Sequence, residues 1–355
     1  MKDINRVLWC TYANFKSMYD AVYQRMIEAG VAGQLPEPVW FNFEGNIVEN
    51  KEDSIGLKLD IHIIHPEWIV FVDKTGVNTN QKDDGNLGGE LFIVPCDDPD
   101  ARLQGATTDI HFTVLCFQAG NGQPIMCAVV MKSEKESKDL LVSWKLGTDI
   151  TTKLTKTNPG DATIVLENSE SMKGGPQCTF RGKVIPCFVC ASPKASITSQ
   201  LLADMLAHMN ELKIWVQTDN SPTPFLLLDG HHSCMELPLL NYIHNQEHPW
   251  AVCIGVPYGT HIWQVADASK CNGTFKMCVT RTKRVMFDAR PDGKKCFTPS
   301  DIIPIINKSF PDSYGNKEFA TKAICKRGWY PATFALLERT LRSRRQKNSI
   351  PVAGP

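Results

Sequence analysis

Two short apolar runs, each closed by a carboxylate, set the architecture of this chain. Residues 68–73 read Trp-Ile-Val-Phe-Val-Asp, and residues 224–229 read Pro-Phe-Leu-Leu-Leu-Asp. A continuous apolar run of this length, without alternation, is a strand covered on both faces and therefore central in its sheet. Residues 111–119 and 124–131 are two further strands, and Gly120-Asn121-Gly122-Gln123 between them carries the turn chemistry of a hairpin. Residues 198–213 place Leu201, Leu202, Met205, Leu206 and Met209 on one helical face, with Thr198 or Ser199 as the cap. A helix at about 235–247 and an apolar strand at 251–256 follow. Helices between buried strands imply parallel neighbours joined by right-handed crossovers. The expected class is α/β, a mixed sheet with helices on both faces.

The flanks read differently. Residues 13–29 space Phe15, Met18, Val22, Tyr23 and Met26 as one face of a helix, which Gly30 and Gly33 end. Residues 31–60 are mixed, and 55–65 fits a helix or a strand about equally. The expected organisation is an N-terminal helical extension over 1–60 and a main domain over 61–285 with an insertion of short strands at about 133–195. A small helical docking segment over 286–338 and a basic tail over 339–355 complete it. A length of 355 residues allows about two domains or one large one.

Composition excludes some functions. No run of about 18 apolar residues is present, so no membrane span or membrane partner is expected. The opening MKDINRVLWCTYANF lacks a secretory apolar region. Thirteen cysteines without a regular framework point to reduced thiols in the cytosol or nucleus. Net charge is zero, yet residues 270–355 hold 18 Lys and Arg against 6 Asp and Glu. Such asymmetry suits either a solvated basic surface or a polyanion partner.

The chemistry sits at the strand ends. In open α/β sheets, sites form beyond the carboxyl ends of the strands. If the two central strands are adjacent and parallel, Asp73 and Asp229 converge. Like charges that close repel unless a proton or a cation lies between them. Oxygen ligands favour a hard divalent ion, Mg²⁺ or Mn²⁺. The plainer alternative is a pair of turn aspartates.

The surrounding residues add to this. The chain reads Val72-Asp73-Lys74-Thr75-Gly76, then Asp229-Gly230-His231-His232-Ser233. It later reads Thr260-His261-Ile262-Trp263-Gln264-Val265-Ala266-Asp267, with 37 residues between Asp229 and Asp267. In motif order and approximate spacing, about residues 65–285 resemble the DDE superfamily endonucleases, the catalytic domains of pogo- and jerky-like transposases of the Tc1/mariner group. The resemblance implies a ribonuclease H-like fold and a metal site of Asp73, Asp229 and Asp267 holding two Mg²⁺ or Mn²⁺ ions. It also implies DNA as the partner, both transposon ends and target, with homodimerisation to pair two ends and work in the nucleus. His231, His232, His261 and Gln264 would surround the acids.

Two departures from the family's pattern stand out. Lys74 occupies a position that is often Glu in the family, and Cys234 follows Ser233 where a His is common. About 65 residues precede the main domain, too few for the helix-turn-helix modules that read transposon ends. A catalytic domain without its sequence reader is therefore expected, and the alternative is a catalytically inactive transposon-derived nucleic-acid-binding or interaction protein.

Other groups carry less. Cys187-Phe188-Val189-Cys190 is half of a zinc pattern, with Cys178, Cys271 and Cys278 as distant partners, and is read as buried strand thiols. Ser233, His232 and Asp229 lack the nucleophile elbow of a serine hydrolase. Asp83-Asp84 and Asp97-Asp98-Asp100 are read as solvated turns. Trp329, within Lys326-Arg327-Gly328-Trp329-Tyr330-Pro331, is read as packing on the main domain more readily than as a nucleic-acid contact. Arg339, Arg342, Arg344, Arg345 and Lys347 suit nucleic-acid binding or nuclear import.

Overall fold

The computed structural model describes residues 10–78, 110–132, 142–145, 150–158, 161–168, 179–180, 183–230, 236–244, 247, 249–267, 271–289, 297 and 301–339. The chain opens with α1 (Tyr12–Glu28), whose first turn is closed by the Thr11 hydroxyl accepting from the Asn14 N–H at 3.2 Å. Phe15, Met18, Tyr19, Val22, Tyr23 and Met26 line its buried face, and Gly30, at φ +74°, ends the helical run.

The N-terminal segment is not wholly helical, which corrects the expected helical extension. Strands β1 (Ala32–Phe41), β2 (Ile47–Val48) and β3 (Lys58–Ile63) form a small antiparallel sheet with β1 in the middle. Pro36 and Pro38 obscured β1, because a proline cannot donate to a ladder. Both prolines fall where the β1–β3 register shifts, between Gln34 and Val39, so pairing resumes beyond them. The expected limits at 60 and 285 cut through β3 and through a later helix.

The main sheet has seven strands. They are β4 (Ile69–Asn78), β5 (His111–Ala119), β6 (Pro124–Lys132), β7 (Val142–Lys145), β12 (Pro186–Ser192), β13 (Phe225–Leu228) and β14 (Ala251–Ile254). Their order is β14-β13-β4-β5-β6-β12-β7. Strands β4, β5 and β6 are an antiparallel meander, while β13 runs parallel to β4 and β14 parallel to β13. The apolar runs occupy the centre: every residue of β5 after His111 is buried, as is all of β13. Helix α2 (Ser199–Glu211), capped by Thr198, precedes β13, and α3 (Leu237–Ile243) joins β13 to β14. The Ser199 hydroxyl ties these helices, donating to the Glu236 carbonyl at 3.1 Å and accepting from the Leu239 N–H at 3.0 Å.

The expected insertion over 133–195 is too long. Its last strand, β12, pairs in parallel with β6 through Cys187↔Cys127 to Ser192↔Lys132 and belongs to the main sheet. The remainder carries β7, the hairpin β8 (Ile150–Asn158) with β9 (Asp161–Asn168), and the short pair β10 (Thr179–Phe180) with β11 (Lys183–Val184).

After β14 come α4 (Thr260–Trp263), α5 (Asn272–Asp288), α6 (Ile302–Ser309) and α7 (Lys317–Lys326). Side chains from α1, the main sheet and the C-terminal segment share one hydrophobic cluster. A smaller cluster of Phe41, Ile55, Leu59, Cys325 and Leu336 joins the small sheet to the C-terminal segment. Trp329 is fully buried, stacked on Tyr19 with ring centroids 4.1 Å apart. The Tyr19 and Tyr23 hydroxyls donate to the carbonyls of Arg327 and Gly328 at 2.5 and 2.7 Å. Among the described residues, no helix is long and apolar enough to cross a membrane.

Candidate acid site

Asp73 does not end its strand. Strand β4 runs on to Asn78, paired with β5 throughout, whereas its parallel pairing with β13 stops at Phe71↔Leu227. Asp229 follows two residues after the last β13 partner, and Asp73 two residues after the last β4 partner. The strands part there, and both acids line one cleft with Val72, Lys74, Leu115, Leu228 and Gln264. Lys74 borders the same cleft, although alternation along β4 sets its side chain on the other face of the strand from that of Asp73. Its backbone N–H donates to Asp73 Oδ1 at 2.8 Å.

The turn after α4 brings the remaining groups. Gln264 Nε2 donates to Asp73 Oδ1 at 2.9 Å and to the Val72 carbonyl at 3.3 Å. Asp267 follows in the same turn. Asn272, the first residue of α5, spans the two acids: its Nδ2 donates to Asp73 Oδ2 at 2.8 Å and to Asp267 Oδ1 at 3.2 Å. The Tyr314 hydroxyl donates to Asn272 Oδ1, which turns the amide nitrogen toward the carboxylates. Tyr314 is itself held by Gln118 Nε2, which donates to its carbonyl at 3.2 Å.

The C-terminal segment braces that turn. Arg327, fully buried, donates to the carbonyls of Gln264 and His261 at 3.3 and 3.1 Å. Trp329 Nε1 donates to the Trp263 carbonyl at 2.8 Å. Carbonyls at the end of α4 that would lack helical partners are thereby satisfied, and a cation sits where the helix dipole favours one. Trp263 Nε1 reaches the Val256 carbonyl at 3.1 Å, and its ring lies against Gly255.

The Asp73 carboxyl is pushed up to about 7. Burial is the largest cause, followed by the Asp267 charge, with a smaller push from Asp229. Hydrogen bonds from Asn272 and the Lys74 N–H oppose this without cancelling it. The site therefore holds a proton near neutral pH or calls for a cation. Gln264 and Asn272 turn amide N–H groups toward Asp73, so the oxygens a hard divalent ion would take come from the carboxylates alone. Asp73 is common to two pairs, one with Asp229 and one with Asp267. Among the described residues, no three His, Cys, Asp or Glu side chains gather closely enough around one point to hold an ion.

Of the other residues singled out in the sequence, His261 is exposed on α4 and reaches the site region through its carbonyl. His231, His232, Ser233, Cys234, Asp83, Asp84, Asp97, Asp98, Asp100, Cys178, Arg342, Arg344, Arg345 and Lys347 lie outside the described residues, as does the side chain of Cys187. Cys190 is a buried strand thiol that donates to the Val129 carbonyl at 3.6 Å. Arg339 donates to the Ile55 carbonyl at 2.8 Å, so its charge serves the small sheet. The sequence reading missed Asn272, Tyr314 and Arg327. Only Asn272 left a local signal, the Asn272-Gly273 turn chemistry ahead of a helix.

A scan against protein-family models and a search of curated proteins both give no match to this chain.

Proposed function

We propose that this chain is a DDE-type transposase catalytic domain, a DNA endonuclease and strand transferase with Asp73, Asp229 and Asp267 as its acids. The observation that carries the reading is the shared position of Asp73. It lines one cleft with Asp229, just beyond the last pair of two parallel strands, and is joined to Asp267 through Asn272. The seven-stranded mixed sheet flanked by helices is compatible with a ribonuclease H-like fold. Two bound Mg²⁺ or Mn²⁺ ions would supply activation of the attacking oxygen and stabilisation of the leaving one. The chain's own residues do the positioning. Gln264 fixes the Asp73 carboxylate, and Asn272 sets its distance from Asp267, which is exposed to solvent. The partners on this reading are transposon ends and target DNA, the working state is a homodimer that pairs two ends, and the compartment is the nucleus.

The test is nicking of supercoiled plasmid by the purified chain with Mn²⁺. Nicking that disappears with a chelator and in Asp229→Asn is expected. Nicking retained by Asp229→Asn overturns the assignment. One observation favours the alternative, a non-catalytic nucleic-acid-binding protein: both Asp73 oxygens already accept hydrogen bonds from the chain itself. Plasmid bound but never nicked is the outcome that selects it.

A further inference from the structure

The helix that begins in the acid site also presents an exposed basic face. Over α5, Phe275, Val279, Thr282 and Lys283 are buried, and Lys283 directs its charge inward to the Asn78 carbonyl at 2.8 Å. Lys276, Met277, Arg281, Arg284 and Val285 are exposed. At 100° per residue, Met277, Arg281 and Arg284 fall along one stripe bordered by Val285, and Lys276 stands about 80° away on the flank of the exposed face. Between Asn272 and Val285 the helix contains no carboxylate. The cations run from Lys276 to Arg284, about 12 Å along the axis, starting one turn from the residue that touches Asp73 and Asp267.

This arrangement solves a charge problem that the site creates. Three carboxylates repel a phosphodiester, so a polyanion needs positive charge beside them to approach. We propose that the exposed face of α5 is a docking surface for the backbone of duplex DNA, with Lys276, Arg281 and Arg284 contacting phosphates and leading the strand to the acid site. About 12 Å of helix matches three to four base-pair steps of phosphate, at 3.4 Å per step along one strand. The contacts carry no base information, so binding is independent of sequence. The inference rests on the reading of the chain as one that acts on DNA, but it concerns binding and not chemistry.

The experiment is equilibrium binding of a labelled mixed-sequence duplex by the full chain in chelator, from about 0.05 to 0.2 M salt. Wild type is compared with Lys276→Ala/Arg281→Ala/Arg284→Ala and with a control, Lys16→Ala/Lys58→Ala/Lys322→Ala, whose lysines are also exposed. Losing three phosphate contacts lowers the slope of log K against log salt by about 2.7, and weakens binding about 100-fold at 0.15 M. That change in the α5 variant, and not in the control, is expected. Equal slopes for the α5 variant and wild type overturn the proposal, and so does a wild-type chain that does not bind duplex. Loss of binding confined to the α5 variant, in a chain that never nicks, keeps the docking surface and removes the nuclease. Unchanged binding with metal-dependent nicking does the reverse.

Discussion

Asp73 places a measurable cost on the folded state. Its carboxyl titrates near 7 in the fold, against about 3.9 in the unfolded chain. Between those values the folded chain holds a proton that the unfolded chain has released. The contribution of Asp73 to stability is therefore greatest below pH 4, falls as pH rises through this window, and levels off above 7. The shift corresponds to as much as about 4 kcal/mol. Asp73→Asn removes the dependence, so urea unfolding in chelator should show it more stable than wild type at pH 8 and nearly equal at pH 4. The same slope in both proteins would contradict the electrostatic account. Mn²⁺ should raise the wild-type melting temperature at pH 8 far more than at pH 5, and leave Asp73→Asn unmoved. Asn272→Ala removes the link between Asp73 and Asp267. Mn²⁺ affinity, followed by the spectroscopic signal of the free ion, should fall at least tenfold, and the metal-free melting temperature should drop as well, because the buried Tyr314 hydroxyl loses its acceptor at a cost of about 1–3 kcal/mol.

At the scale of elements, the turn carrying Gln264 is held from both sides. A Cβ on Gly255 would come within 2.1 Å of the Trp263 ring, too close for any rotamer to relieve. Gly255→Ala should therefore cost about 1–3 kcal/mol through overpacking and weaken Mn²⁺ binding by displacing α4. Trp329→Ala should cost about 3–5 kcal/mol. Trp329→Phe keeps a ring against Tyr19 but loses the hydrogen bond to Trp263 and part of the buried volume, so its cost should be smaller, about 1–3 kcal/mol. Equal losses in the two Trp329 variants would mean that stacking contributes little. These elements also mark where the sequence was readable. The runs at 69–72 and 225–228, the 120–123 hairpin turn and the face of α2 are local patterns, and each became the element expected. The cysteines of β12 read as buried strand thiols, but its place in the main sheet was hidden, because its parallel pairing with β6 joins residues 60 positions apart. Strand β1 was hidden by its prolines.

At the scale of the molecule, the acid site draws on the chain's middle and its end. The three aspartates announce themselves through neighbours in sequence. Asn272 stands 199 positions from Asp73, and Arg327 stands 63 from the Gln264 carbonyl it holds. No local pattern encodes such pairings, because the fold creates them. Truncation after Ser309 removes Tyr314, Arg327 and Trp329 together. The shortened chain should lose both cooperative unfolding and the melting-temperature rise with Mn²⁺, measured by thermal denaturation. A truncated chain that still responds to Mn²⁺ would show that the C-terminal segment is dispensable to the site.

The hydrogen bonds from Tyr19 and Tyr23 to Arg327 and Gly328 span more than 300 positions. A ribosome delivers the first of these residues long before the last. Until the final helices emerge, Gln264 and Asn272 have no brace, and the nascent polypeptide carries its aspartates unassembled. The acid site thus assembles only after Trp329 has been made, and a polypeptide stopped short of it carries the turn of Gln264 without its brace.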